Sequence, residues 1–173
     1  LNRVEAQALW EAGDKEGYIQ DGMKNKTVRG VLATRQVASM WYGLMTTVSE
    51  TNGDIWIHKE GDRIWWTKSR PDPAYYVRDV VEPVGAKRRV VVCHKPCDPW
   101  RNLGLKGQPL LWHTLHPKAK DFLTTQSTLR PLSADNSAYA LALIAGDPLD
   151  AWHSRRDWKQ KFEKAKTKQS EVT

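Results

Sequence analysis

Hydrophobic and polar residues follow two different periods along this chain, and the switch between them outlines its organisation. Between residues 33 and 48 the apolar side chains fall at 33, 37, 40, 41, 44, 45 and 48, the three-and-four spacing of one helix face. Met40, Trp41, Leu44 and Met45 are the core positions expected of that helix. From Asp54 the period shortens to that of strands, predicted at Asp54–His58, Arg63–Lys68, Ala74–Val81 and Arg88–Cys93. They are bounded by Asn52-Gly53, Gly61-Asp62, Pro71, Pro73, Pro83 and Gly85, residues that punctuate strands with turns. A further strand is expected at Leu110–Leu115, and a short edge strand at Thr128–Leu132.

Helical patterning returns towards the C-terminus. Pro117–Leu123 reads as a helical turn. Ser133–Ala145 reads as a helix, with Ser133 or Asp135 at its start and Gly146 at its end. Asp147-Pro148 then opens a last helix through Trp152, Trp158 and Phe162. Near the N-terminus residues 3–12 predict a short helix stopped by Gly13, whereas Gly17–Gly30, interrupted by glycines, reads as a surface loop. The sum is an α+β fold, a small twisted β-barrel or sheet of about five to six strands flanked by helices. Residues 1–150 would form one domain and 151–173 a basic C-terminal helix or tail.

Composition narrows the function classes. With 173 residues, 40% hydrophobic and 27% charged, the chain has the balance of a folded domain with a sizeable core. No apolar run approaches the ~18 residues of a membrane span, and no signal-peptide pattern is present, so no membrane partner is expected. The chain begins at Leu1, which reads as an excised domain or a processed product and leaves room for a separate catalytic domain. Two cysteines, Cys93 and Cys97, fit a reducing cytoplasm. With His94 they form Cys-His-Lys-Pro-Cys, one closely spaced ligand set where a zinc site would use two, even with His113 and His116 nearby. Neither a metal nor a cofactor is expected.

The net charge of +7 favours an anionic partner. Seven Lys/Arg against three Asp/Glu lie from Ala151 onwards. Elsewhere Lys68, Arg70, Lys87, Arg88, Arg89, Arg101 and Lys106 stand at predicted strand ends or loops, where they could reach a phosphate backbone. Arg155, Arg156 and Lys159 offer a second strip. Three of the nine tryptophans, Trp56, Trp65 and Trp66, crowd into Gly53–Arg70. Because neighbouring strand residues point to opposite faces, one of Trp65 and Trp66 belongs to a core. The other belongs to a second surface beside Lys68 and Arg70, where an aromatic plate can stack on a flat ligand.

The run Gly61-Asp62-Arg63-Ile64-Trp65-Trp66-Thr67-Lys68-Ser69, followed by Tyr75-Tyr76-Val77, resembles the PUA-like superfamily, especially its EVE and YTH-type branches. Pro99-Trp100-Arg101, Trp112 and the segment from Gln126 to Leu132 are similar to the later part of bacterial EVE-like domains of modification-dependent restriction systems. The resemblance covers roughly Asp54 to Ala145. It implies a pocket for a modified base, flipped from duplex DNA or presented by a single strand. The base-binding residues it implies are Trp41, Trp66, Ser69, Tyr75 and Trp112. Stacking on one ring returns roughly 1–3 kcal/mol against the few kcal/mol that extrusion costs.

The expected partner is therefore nucleic acid, DNA ahead of RNA, together with a nuclease domain or subunit. Two other readings stay open. One is an RNA-binding module of the same fold, which would prefer unstacked bases and 2′-hydroxyls. The other is a small metal-dependent nuclease, for which Pro71-Asp72 and Asp157-Trp158-Lys159 have the residue types of a carboxylate–lysine site. No Gly-rich phosphate loop, nucleophile elbow or two-histidine zinc helix is present, so the expectation is binding without catalysis.

Overall fold

In the computed structural model the chain runs β1 (Asn2–Arg3), α1 (Val4–Glu11), α2 (Lys15–Lys24), α3 (Arg35–Glu50), β2 (Ile55–Glu60) and β3 (Arg63–Lys68). It continues through β4 (Tyr75–Val81), β5 (Arg88–His94), α4 (Pro117–Leu123), α5 (Ala134–Ala145), α6 (Asp150–His153) and α7 (Arg156–Ser170). The structure describes all residues except 1, 28–29, 82–87, 125–128 and 171–173. Two compact units are formed. Unit 1 is Leu1–Asp54 with Ser69–Asp98, and unit 2 is Ile55–Lys68 with Pro99–Thr173.

In unit 1 an antiparallel sheet is ordered β1-β5-β4, and its main ladder pairs Tyr75 with His94 through to Val81 with Arg88. Helix α2 stands where a loop was expected. Asp14 caps it by accepting the Gly17 N–H, and Tyr18 and Ile19 supply a buried face. Gly22 serves close packing and not a turn, since a Cβ there would lie 3.1 Å from the Ala38 Cβ of α3, tighter than an ordinary contact. Helix α3 begins after Thr34, whose hydroxyl accepts the Val37 N–H. Its core line is offset from the expected stripe, with Ala38 fully buried and Met40 48% exposed.

Unit 2 is built on the β2–β3 hairpin, paired from Ile55–Lys68 to Glu60–Arg63. Its core gathers Ile64, Trp66, Leu110, Leu115, Ala119, Phe122, Tyr139, Ile144 and Trp158. Helix α5 is capped by Ser133, which accepts the Asn136 N–H, and ends on Gly146 at φ 72°, the left-handed turn that glycine adopts without a Cβ clash. The Gln108 amide adds a second cap by donating to the carbonyls of Leu143 and Ile144.

The class is α+β, but the expected barrel of five to six strands is not formed. Among the described residues the strands divide into two separate antiparallel sheets, one of three strands (β1 only two residues long) and one a two-stranded hairpin. Leu110–Leu115 contributes an isolated bridge, Leu111 to Arg63, and then turns, with the Thr114 hydroxyl donating to the Leu111 carbonyl. Residues 129–132 are not a strand, and Thr128 lies outside the described residues. Among the described residues the segment along β3 pairs with its backbone at isolated bridges, through Arg101 and Leu111, and not in a ladder. Its prolines and glycines remove the donors and regular geometry that a continuous ladder needs.

Trp158 anchors α7, being fully buried in the unit 2 core. Its ring packs on Tyr139 at 4.8 Å and on His116 at 4.7 Å between centroids. Trp158→Ala should therefore cost about 3–5 kcal/mol of stability, the range for truncating a buried aromatic. Phe162→Ala, at a ring 40% exposed, should cost about 1 kcal/mol. Urea midpoints at unchanged slope check both.

Candidate nucleic-acid interface

Helix α7 carries its charge on one side because its apolar residues are committed to the other. Trp158 and Phe162 stand four apart and Ala165 three further on, which places them along one face. Arg156, Lys159, Lys164 and Lys168 occupy the rest of the circumference. All four are exposed and have no carboxylate partner among the described residues. The neighbouring cations are neutralised. Lys118 pairs with Asp157, Arg155 with Asp135, and Lys161 with Asp121 at 2.6 Å. By composition, unit 2 holds fifteen of the 27 Lys/Arg and nine of the 20 Asp/Glu, so +6 of the net +7 belongs to it. A charged helix face is commonly just solvated, but here the unpaired cations and most of the net charge coincide.

In unit 1 the β4–β5 register puts Tyr75 directly opposite His94 and Val77 opposite Val92. The Tyr75 and His94 rings stack at 5.1 Å with only 13° between their planes. Tyr75 is 54% and Val77 43% exposed. The alternate face turns inward. There the Tyr76 hydroxyl meets that of Ser49 at 3.1 Å, and its ring lies 5.5 Å from Trp10. Burial raises the Tyr76 and Cys93 pKa values on that side. The outer pair is thus an aromatic step open to solvent, of the kind on which an unpaired base can stack.

The five expected base-binding residues are not gathered into one cage within either unit. Trp41, Ser69 and Tyr75 belong to unit 1, and Trp66 and Trp112 to unit 2. Trp66 is the core tryptophan of its pair. It is 8% exposed, its indole N–H donates to the Leu103 carbonyl at 2.9 Å, and Arg101 lies over its ring. The Ser69 hydroxyl accepts the Asp54 N–H at 3.0 Å. Trp41 packs on the small cluster of Ile19, Ala33 and Ala38. Trp112 is partly buried against the unit 2 core, with Lys59 over its ring at 5.1 Å. An open groove of about 610 Å³ in unit 1 is lined by Lys15, Glu16, Ile19, Arg35, Gln36 and Ser39, with no aromatic among them.

Of the expected phosphate contacts, Arg70 pairs with Asp98 at 3.0 Å. Lys106 holds the Gly146 carbonyl and Asp147 at the end of α5. Lys68 is exposed at the end of β3. Arg88 and Arg89 lie on β5, with side chains outside the described residues, as is all of Lys87. Lys164 and Lys168 are absent from the expected set, although the helical period already places them off the line of Trp158, Phe162 and Ala165. His94 is absent from it because a cross-strand partner depends on register.

No family model, curated protein or solved structure matches the chain. Its residues alone carry the functional argument. Among the described residues no group of three or more His, Cys, Asp or Glu is placed to hold a metal ion. Asp72 lies in unit 1 and Asp157 in unit 2, and Asp157 is engaged by Lys118 and Arg155.

One further polar pair stands out in unit 2. Asp62, at the β2–β3 turn, accepts the His113 backbone N–H at 2.8 Å and meets its Nδ1 at 2.5 Å. It staples the turn to the loop after Leu111. The His113 imidazole, followed by desolvation acting the other way, leaves the Asp62 carboxyl below its ordinary value. A carboxylate lowered in this way adds stability above its ordinary value of 3.8, and that contribution is lost as pH falls through the lowered value. Asp62→Asn should therefore reduce the thermal midpoint at neutral pH and flatten its decline on the acid side. Melting curves of both proteins across that range check this.

Proposed function

We propose that this chain binds nucleic acid, taking backbone phosphates on the exposed cationic face of α7 and unpaired bases on the Tyr75–His94 stack, each on its own unit. The observation that carries the reading is the set Arg156, Lys159, Lys164 and Lys168, exposed and without carboxylate partners among the described residues. Cations free of internal partners can neutralise phosphates and release their counterions, which supplies most non-specific affinity. The 15-residue helix is about 22 Å long at the ordinary rise, enough to follow several phosphates.

The open aromatic step favours single-stranded or locally unpaired strands over intact duplex. Stacking on an exposed ring needs a free base face, which a paired base does not offer. A modified base flipped into an aromatic cage has less support, since Trp66 is closed into the core and the Ser69 hydroxyl is engaged by Asp54. A cytoplasmic setting goes with the reading, because Cys93 and Cys97 are both free thiols, the state that reducing compartments maintain. No helix among the described residues is long and apolar enough to cross a membrane.

The test is fluorescence anisotropy with a labelled single-stranded oligonucleotide, as DNA and as RNA, and a matched duplex, across roughly 50–200 mM salt. Replacing Arg156, Lys159, Lys164 and Lys168 together by Gln should weaken all three. It should also lower the salt slope on single strands by about 0.7 for each phosphate no longer neutralised. Tyr75→Ala should weaken single-strand binding by about tenfold, the lower part of the range for one stacked base, and leave duplex binding and the salt slope unchanged. A wild-type chain that shows no salt-dependent binding to any probe would overturn the proposal.

A further inference from the structure

Unit 2 contains a second constellation that nucleic-acid binding does not use. His116 is the residue before α4 and caps it with its side chain, Nδ1 accepting the Lys118 N–H at 3.1 Å. Its ring stacks on His153 of α6 at 5.0 Å and 23°, packs on Trp158 at 4.7 Å, and lies 5.7 Å from Phe162. One imidazole therefore joins α4, α6 and the two aromatic anchors of α7. His153 in turn has its Nε2 3.4 Å from the Tyr139 hydroxyl of α5.

Capping decides the protonation state. A nitrogen that accepts a backbone N–H carries no proton, so His116 is the neutral tautomer with its hydrogen on Nε2. A second proton would place two N–H groups against each other at the cap. Stacked imidazoles 5.0 Å apart also resist being charged together. We propose that the His116–His153 pair is an acid-sensitive latch, whose neutral rings hold α7 against α4 and α6 and whose protonation releases it. The latch belongs to unit 2 alone and is independent of the nucleic-acid reading.

Charged neighbours face the pair from every packed element. On α4, the Lys118 ammonium lies over the Trp158 ring and pairs with Asp157 of α7, and Asp121 is joined to Lys161 of α7. On α5, Asp135 holds Arg155, which also reaches Asp157. The Tyr139 hydroxyl stays protonated, its pKa raised by burial to about 12. Lys166 of α7 lies near the Phe162 ring. Asp150 of α6 is the carboxylate that draws a proton towards His153, and burial outweighs it. Burial, then the charges of His153 and Lys118, keep the His116 pKa below its ordinary value.

For a base lowered on folding, the unfolded chain binds protons more readily. Stability is then complete above the ordinary imidazole value of 6.5, declines as pH falls through it, and levels off below the lowered value. Release of α7 follows the same window.

The experiment is an NMR titration of the histidine rings in the full chain, paired with hydrogen exchange of α7 and α5 amides corrected for intrinsic rates. In the wild type, His116 and His153 should titrate below the ordinary value. Opening of α7 should rise by up to about tenfold per pH unit for each proton taken up, while α5 stays protected. His116→Asn keeps a capping acceptor but cannot titrate, so opening of α7 should there follow His153 alone, with a pH slope of one proton at most. His153→Gln should raise the His116 midpoint. Unchanged α7 protection in the wild type while both rings titrate would overturn the latch, even if no variant folds. So would acid opening of His116→Asn with the full wild-type midpoint and pH slope.

Discussion

The burial of Trp158 is the interaction on which most of unit 2 depends. Its indole fits among Phe122, Tyr139, His116 and His153, so it ties four helices to the core that also takes Ile64 and Trp66 from the β2–β3 hairpin. The indole N–H has no hydrogen-bond partner among the described residues, a cost of about 1–3 kcal/mol that the surrounding aromatic packing offsets. Because Trp158 must point inward, helical geometry sends Arg156, Lys159, Lys164 and Lys168 outward. The cationic face of α7 is thus a consequence of core packing.

The same logic operates in unit 1 with the period of a strand. Tyr76 turns inward to Ser49 and Trp10, so Tyr75 one residue earlier must face out, and the antiparallel register delivers His94 beside it. Cross-strand aromatic pairs of this kind add a few tenths to about 1 kcal/mol to a ladder. The stack is therefore a structural pair whose remaining face is open, and one feature can serve both roles. His116 and His153 of unit 2 differ in being half-buried and engaged. His116 has a backbone donor on one nitrogen, and a capping bond of that kind exists only while the ring is neutral.

Much of the local architecture was legible from residue order. Ser133 and Gly146 marked helix ends through their ability to accept a backbone N–H or to turn left-handed. Arg63–Lys68 announced its strand through alternation. Gly17–Gly30 misled because glycine lowers helix propensity, whereas in α2 Gly22 is what lets that helix approach Ala38 closely. Leu110–Leu115 misled because alternation describes a side-chain pattern and does not guarantee a partner strand. Of the candidate site residues, Tyr75 lies exposed beside a stacking partner, while Trp66, Lys106 and Arg70 have their polar or apolar surfaces occupied by neighbours distant in sequence.

By itself, then, the chain's sequence determined an excess of cations, the helical and strand periods, and which positions within each element share a face, since all of these depend on residues a few places apart. Only the tertiary structure decided which face is covered, which lysines and arginines meet carboxylates, and that the strands divide between two sheets instead of closing a barrel. Those outcomes depend on contacts between segments tens of residues apart, and there the free energy is set by shape and partner and not by local pattern.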